Sequence, residues 1–266
     1  MIVAIIGAGA MGEAILAGML HGGWSVGDVR ASNATREHRD RIAQKYGVMV
    51  GDPARVVRDA DAVVVAVKPH AVADLLREIG PVLKPTAVVV SVAAGLSLET
   101  LQSSLPAEQP VVRAMPNIAS TVGEGMTALS GGASAGADQM AVAAEIMGAV
   151  GLVVEVRENQ MNAVTALSGS GPAYLMYVAE AMTDAGVLLG LPRQLATKLV
   201  AQTLYGSSKL LVTSGEHPTV LKDSVTSPGG TTIAALRVFE DRGVKAGIIA
   251  GAEACRDRSV EMGQAS

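Results

Sequence analysis

The sequence predicts an α/β fold: a doubly wound N-terminal domain over residues 1–157, followed by an all-helical C-terminal domain over residues 158–266 that pairs with a second chain. Three observations predict it. Up to about residue 157, short Val/Ile/Ala runs alternate with amphipathic segments, and several runs are apolar throughout, as parallel strands covered on both faces must be. A glycine-rich turn, Gly7-Ala8-Gly9-Ala10-Met11-Gly12, stands between the first such run and the first helical segment. After Glu158 the strand pattern stops and only long helical stretches remain.

Taken in order, the strand candidates are residues 3–6, 29–32, 62–66, 87–91, 111–114, 126–130 and 152–156. Helical patterns fill the intervals, and their regular alternation with strands implies a doubly wound sheet. In the second domain the helices are expected at 159–167, 172–190, 192–214, 231–242 and 245–262. Breaks fall at Ser168-Gly169-Ser170-Gly171-Pro172, Gly190-Leu191-Pro192, Gly215-Glu216-His217-Pro218, Val225–Thr232 and Gly243. No low-complexity linker separates the halves, so a tight junction is expected near Arg157.

Composition narrows the function. Apolar residues make up 49% of the chain and charged residues 17%, with only 2% aromatic, so the interior must be built from Ala, Val, Leu, Ile and Met. So small a charged fraction implies that part of the surface is covered by other subunits, and a homodimer at least is expected through the helical domain. The net charge of −4 is evenly spread: residues 1–157 carry 12 basic and 15 acidic side chains, and 158–266 carry 9 and 10. That distribution offers no basic stripe for nucleic acid. Cys255 is the single cysteine, which excludes a disulfide framework and a thiol zinc site; no metal site is expected, and a reducing cytoplasm fits. Met1 runs straight into a strand and then glycines, so no export signal is read. Residues 173–191, the most apolar later stretch, are interrupted by Glu180 and Asp184 and read as a buried helix, not a membrane span.

The glycine turn follows a strand and opens a helix, which is the context that makes Gly-x-Gly-x-x-Gly a dinucleotide fingerprint of a Rossmann-type domain. Gly7 makes the tight turn, Gly9 admits the pyrophosphate, Gly12 lets helix and strand approach, and Ala8, Ala10 and Met11 complete the loop. At the end of the second strand, where an NAD site usually carries an acid, the chain reads Val29-Arg30-Ala31-Ser32-Asn33-Ala34-Thr35-Arg36. Asn33 and Thr35 can hydrogen-bond a 2′-phosphate and Arg36, with Arg39 as a lesser helper, can pair with its charge. The alternative is that Thr35 caps a helix whose arginines face water. NADP(H) is expected to be preferred, with NAD(H) also accepted. Two more strand ends, Ala66-Val67-Lys68-Pro69 and Val92-Ala93-Ala94-Gly95, suit close contact with the same cofactor; Lys68 either touches it or faces solvent.

Residues 225–232, Val-Thr-Ser-Pro-Gly-Gly-Thr-Thr, put four hydroxyls, a proline and two glycines ahead of a helical stretch. The unpaired N–H groups of that helix start favour a carboxylate, and the hydroxyls of Thr226, Ser227, Thr231 and Thr232 could orient a second polar atom of a small molecule. Alone, the run reads equally well as a polar cap after a turn.

Together with Ala66-Val-Lys-Pro-His70, Arg113-Ala-Met-Pro-Asn117 and Ala166-Leu-Ser-Gly-Ser-Gly-Pro-Ala-Tyr174, these two motifs resemble the pyrroline-5-carboxylate reductase family along nearly the whole chain. The resemblance implies hydride transfer from nicotinamide to the C5 carbon of 1-pyrroline-5-carboxylate, giving L-proline. It implies that Ser227, Gly229, Gly230 and Thr231 hold the substrate carboxylate, that Thr232 contacts the ring nitrogen, and that Pro172 lies beside the nicotinamide. Dimers that gather into larger rings are also implied. Where better-known members carry an asparagine after the third strand, this chain has Pro53 beside Asp52. The four histidines, His21, His38, His70 and His217, are read as structural, because a protonated imine needs no strong acid to accept hydride. A β-hydroxyacid dehydrogenase would place a lysine on the first long helix of the second domain, but residues 159–192 contain no Lys or Arg. A non-catalytic NADP(H) sensor would keep the glycine turn without needing the hydroxyl-rich segment.

Overall fold

The computed structural model of the protein describes residues 1–264. The first part of the chain forms β1 (Val3–Ile6), α1 (Ala10–His21), β2 (Val29–Ser32), α2 (Arg36–Tyr46), β3 (Met49–Val50), α3 (Pro53–Val56), β4 (Ala62–Val65), α4 (Pro69–Ile79), β5 (Val88–Ser91), α5 (Leu98–Ser103), β6 (Val111–Met115), β7 (Gly125–Gly131), α6 (Ala137–Gly148) and β8 (Gly151–Glu155). The eight strands make one sheet in the order β3-β2-β1-β4-β5-β6-β7-β8.

Side-chain alternation explains why the central strands must be apolar on both faces. From β1, Val3 and Ile5 enter one core with Ile15, Leu16 and Met19 of α1 and Ile146 and Met147 of α6. Ala4 and Ile6 enter a second core with Val72, Leu76 and Ile79 of α4 and Leu101 of α5. Full burial of each such Val, Leu, Ile or Met side chain contributes about 1.5–3 kcal/mol of transfer free energy. Trp24, the only tryptophan, lies just past α1 and packs against the first core.

Two features of the sheet differ from the sequence expectation. β3 is an additional strand, two residues long and paired with Arg30 and Ala31. The sheet is not parallel throughout, because β7 runs antiparallel to β6 and β8 runs parallel to β7.

The remainder is helical, as expected: α7 (Met161–Val164), α8 (Gly171–Leu188), α9 (Arg193–Ser214), α10 (Pro218–Ser224), α11 (Thr231–Asp241) and α12 (Val244–Gln264). A π-helical turn, Thr165–Gly169, follows α7. The helix α10 is an addition to the expected set: it fills the residues between the breaks at 215–218 and 225–232, with Pro218 at its first turn, where proline is tolerated. By its contacts the chain divides into two compact units: Met1–Ser170 together with the described residues from Cys255 onward, and Gly171–Ala254. Within the second unit α8 and α9 lie side by side, and Gly186 makes this possible: a Cβ there would stand 2.8 Å from that of Ala196. Ala196, Val200 and Thr183 are buried, whereas Tyr177, Leu188 and Val212 are exposed at 74%, 88% and 81%.

Candidate functional site

In the first unit a cleft of about 940 Å³ opens at the C-terminal ends of β1, β2, β4 and β5. β1 is flanked by β2 on one side and β4 on the other, and this reversal of strand order is where ligands of open α/β sheets bind. The glycine turn forms one wall. Gly7 has φ +91°, and a Cβ on it would come within 2.7 Å of the Ala66 backbone. Gly12 is equally constrained, since its Cβ would lie 2.4 Å from the Gly7 carbonyl oxygen. Gly9 is different: open space lies around its Cβ position, and it begins α1 with no side-chain cap. The first N–H groups of α1 are thus available to an anion. Lys68 begins α4, also without a side-chain cap, with Pro69 at the first turn.

The cleft gathers Gly7, Gly9, Ala10, Met11, Asn33, Ala66, Val67, Lys68, Pro69, Ala93 and Ala94 from the residues singled out in sequence. Ala8 is buried, and Gly12 packs beneath the turn. Gly95, with φ +81°, makes the turn beyond β5 and lies off the cleft lining. Thr35 caps α2, its Oγ accepting the His38 N–H at 3.3 Å and lying 2.9 Å from His38 Nδ1. Arg36 is 88% exposed, stands 3.7 Å from Asp40 and does not line the cleft. Instead the far end is lined by Ala34, His38, Arg39, Asp52 and Pro53, where Arg39 donates to the Asp52 carboxylate.

Ser32 was not singled out. It is the last residue of β2, at the position where an NAD site places its acid, and that position is the signal by which it could have been found. Its hydroxyl is buried without a hydrogen-bond partner at the cleft wall. A buried hydroxyl left unpaired costs free energy unless a ligand satisfies it. That orphaned group, the uncapped start of α1 and the free space at Gly9 together fit a dinucleotide.

Beside the cleft, Glu13 of α1 accepts from Arg41 at 2.6 Å, Lys45 at 2.8 Å and Tyr46 at 2.9 Å, all on α2. The Arg41 guanidinium, against some opposition from burial and with help from Lys45 and Tyr46, lowers the Glu13 carboxyl to about 2. This cluster fixes α2 on α1.

Two of the remaining motifs meet within the same unit. Asn117 donates to the Ser168 carbonyl at 3.0 Å and accepts the Met126 N–H at 3.2 Å, holding the π-turn against β7. Arg113 is buried and donates to Glu158 at 2.6 Å, while the same carboxylate oxygen accepts the Leu98 N–H at 3.2 Å. Ser170, at the end of the turn, lies 3.2 Å from the Cys255 sulfur.

The hydroxyl-rich segment belongs to the second unit. The Gly230 N–H donates to the Ser227 carbonyl at 3.1 Å, across Pro228 and Gly229, whose φ is +68°. Proline followed by a left-handed glycine is the requirement of a type II turn. This turn ends at Gly230, which begins α11 with no side-chain cap. The first amide of the helix bonded to the backbone is that of Ala234, to the Gly230 carbonyl at 3.4 Å. Thr226 is committed elsewhere, its hydroxyl donating to the Lys222 carbonyl at 2.7 Å. A Cβ on Gly230 would come 2.3 Å from the Ser227 hydroxyl oxygen. Among the described residues there is no group of three His, Cys, Asp or Glu side chains able to hold a metal ion, and no helix is long and apolar enough to cross a membrane.

Comparison with known proteins gives a consistent result. A family model described as pyrroline-5-carboxylate reductase dimerisation matches residues 158–262, and one described as NADP oxidoreductase coenzyme F420-dependent matches residues 2–95. The chain is 42% identical to a pyrroline-5-carboxylate reductase of Synechocystis, with 98% of this chain and 97% of the relative covered. Among solved structures, a pyrroline-5-carboxylate reductase from Coxiella burnetii is similar at a TM-score of 0.94 and 34% identity, covering 98% of this chain and 97% of the other. A pyrroline carboxylate reductase from Plasmodium falciparum, solved with NADP bound, is similar at a TM-score of 0.86 and 28% identity, with 98% of each chain covered.

Proposed function

This chain belongs to the pyrroline-5-carboxylate reductase family, and from that premise we propose how its residues hold the two reactants. It is an NAD(P)H-dependent oxidoreductase that reduces the cyclic imine 1-pyrroline-5-carboxylate to L-proline. When bound in reduced form, the nicotinamide cofactor supplies the hydride.

The cofactor is held in the cleft of the first unit. The first N–H groups of α1, at Ala10, Met11 and Gly12, receive the pyrophosphate, and Gly9 leaves the space that it needs. Ser32 and Asn33 hydrogen-bond the adenosine ribose. The backbone of Ala66, Val67, Ala93 and Ala94 lies along the dinucleotide, with Lys68 at the mouth. NADPH is the preferred donor, supported by the absence of an acid at the end of β2.

The start of α11 holds the substrate, and its lack of a side-chain cap is the observation that carries this assignment. Amide groups of the first turn and the Ser227 hydroxyl receive the carboxylate, and Gly229 and Gly230 keep the approach clear. The Thr232 hydroxyl, one residue into the helix, contacts the imine nitrogen and orients the ring. Hydride addition neutralises the charge of a protonated imine, so orientation can supply most of the acceleration without a strong acid. An assay of NADPH and NADH oxidation with pyrroline-5-carboxylate, run beside a panel of β-hydroxyacids, tests this; turnover confined to the hydroxyacids would overturn it.

The chain is a homo-oligomer through its dimerisation region, and we propose that the dimer is the basic unit and that dimers assemble into rings. The exposed apolar side chains of Tyr177, Leu188 and Val212 support coverage by a second copy. Light scattering at micromolar concentration measures the number of chains.

A further inference from the structure

We infer that Arg39 is the cation that meets the 2′-phosphate of the cofactor, and that Asp52 is the carboxylate it leaves in order to do so, which makes this pair the determinant of NADPH against NADH use. The inference rests on the cofactor reading above.

Position selects Arg39. Of the basic side chains around the adenosine end of the cleft, Arg30 is committed to the carbonyls of Val56 and Arg58, Arg41 and Lys45 are held by Glu13, and Arg36 is off the lining. Arg39 is the one guanidinium in the cleft lining among the described residues. Its side chain is 22% exposed, so it is held in place yet reachable.

Asp52 is placed to compete for it. The carboxylate belongs to the residue that begins α3, yet it makes no capping bond to that helix, and it is 77% exposed. Its recorded partner is Arg39. A 2′-phosphate offers about two negative charges and three acceptor oxygens matched to the guanidinium fork, so it displaces a single exposed carboxylate. Asp52 then faces a like charge and must turn toward water. With a free ribose the pair persists, and the second carboxylate oxygen is left to accept a ribose hydroxyl, as an acid does in NAD sites. Asp52 thus favours the unphosphorylated cofactor and Arg39 the phosphorylated one.

Calorimetric titration of the full-length protein with 2′,5′-ADP and with 5′-ADP reads this without turnover. Arg39→Gln should weaken 2′,5′-ADP by roughly tenfold or more, the loss expected for charge-assisted hydrogen bonds, and change 5′-ADP by less than about twofold. Asp52→Asn should act in the opposite direction, tightening 2′,5′-ADP and weakening 5′-ADP, a gain that damage to the fold cannot produce. Equal weakening of both ligands by Arg39→Gln, or a selective loss that follows Arg36→Gln instead, overturns the inference while leaving the cofactor site intact. Failure of both ligands to bind the unaltered protein overturns the cofactor reading and this inference with it.

Discussion

The carbonyl of Ser32 accepts the Gly7 N–H at 2.9 Å, so the turn after β1 is anchored on the last residue of β2, and the same serine carries a buried hydroxyl with no partner at the cleft wall. Ser32→Ala removes an unsatisfied group from the ligand-free protein and should leave its melting temperature unchanged or slightly higher. The upward shift in melting temperature on adding NADPH should shrink. An undiminished shift would mean that the hydroxyl takes no part in binding.

The glycines of the turn should respond differently to the same methyl group. Gly12→Ala drives a Cβ against the Gly7 carbonyl oxygen, a backbone atom that cannot swing aside, and should cost about 1–3 kcal/mol of stability in urea unfolding. Gly9→Ala meets nothing in the protein and should fold with unchanged stability. Its NADPH affinity should nevertheless fall roughly tenfold, because the methyl occupies the path of the pyrophosphate. Equal destabilisation by the two variants would contradict this division of roles.

Thr232→Ala should lower kcat by about tenfold or more with little change in KM for pyrroline-5-carboxylate, as removal of one orienting hydrogen bond predicts. Gly230→Val should mainly raise that KM, since its side chain displaces the Ser227 hydroxyl and crowds the helix start. Steady-state kinetics separates the two, and an unchanged kcat for Thr232→Ala removes the hydroxyl from the mechanism.

Glu13 gives a pH signature. Its folded pKa, about 2, is depressed from the ordinary carboxylate value of 4.5, so its contribution to stability is complete above the unfolded value and is lost as pH falls through the folded one. Glu13→Gln should therefore destabilise the protein near pH 7, by about 1 kcal/mol once solvent screening of these exposed partners is allowed for. The gap to the unaltered protein should narrow progressively between pH 4.5 and 2. Urea unfolding at pH 7, 5 and 3 measures it; a gap that is constant down to pH 3 would show that the cluster holds no net charge interaction.

Much of this architecture is legible in the chain because its signals are local. The four-residue apolar runs of β1 and β4 and the three successive valines of β5 announce buried strands, and the glycine turn states backbone demands that only glycine meets. β3 was invisible because two residues carry no periodicity. The reversal at β7 was readable but easily missed: an apolar run has no direction, yet the connection from Met115 to Gly125 is shorter than the dozen or so residues of a parallel crossover. The choice of arginine at the adenosine end was not legible. Arg36 and Arg39 lie on the same turn of α2, and what separates them is the approach of Asp52, a tertiary event from beyond β3.

Trp24 sits in the sheet-containing unit, and the other unit has no indole at all. Indole fluorescence therefore reports the loosening of one unit only, whereas far-ultraviolet dichroism sums the helices of both. With this single built-in optical label, two melting curves recorded on one sample separate a ligand that secures the nucleotide-binding half from one that secures the whole chain.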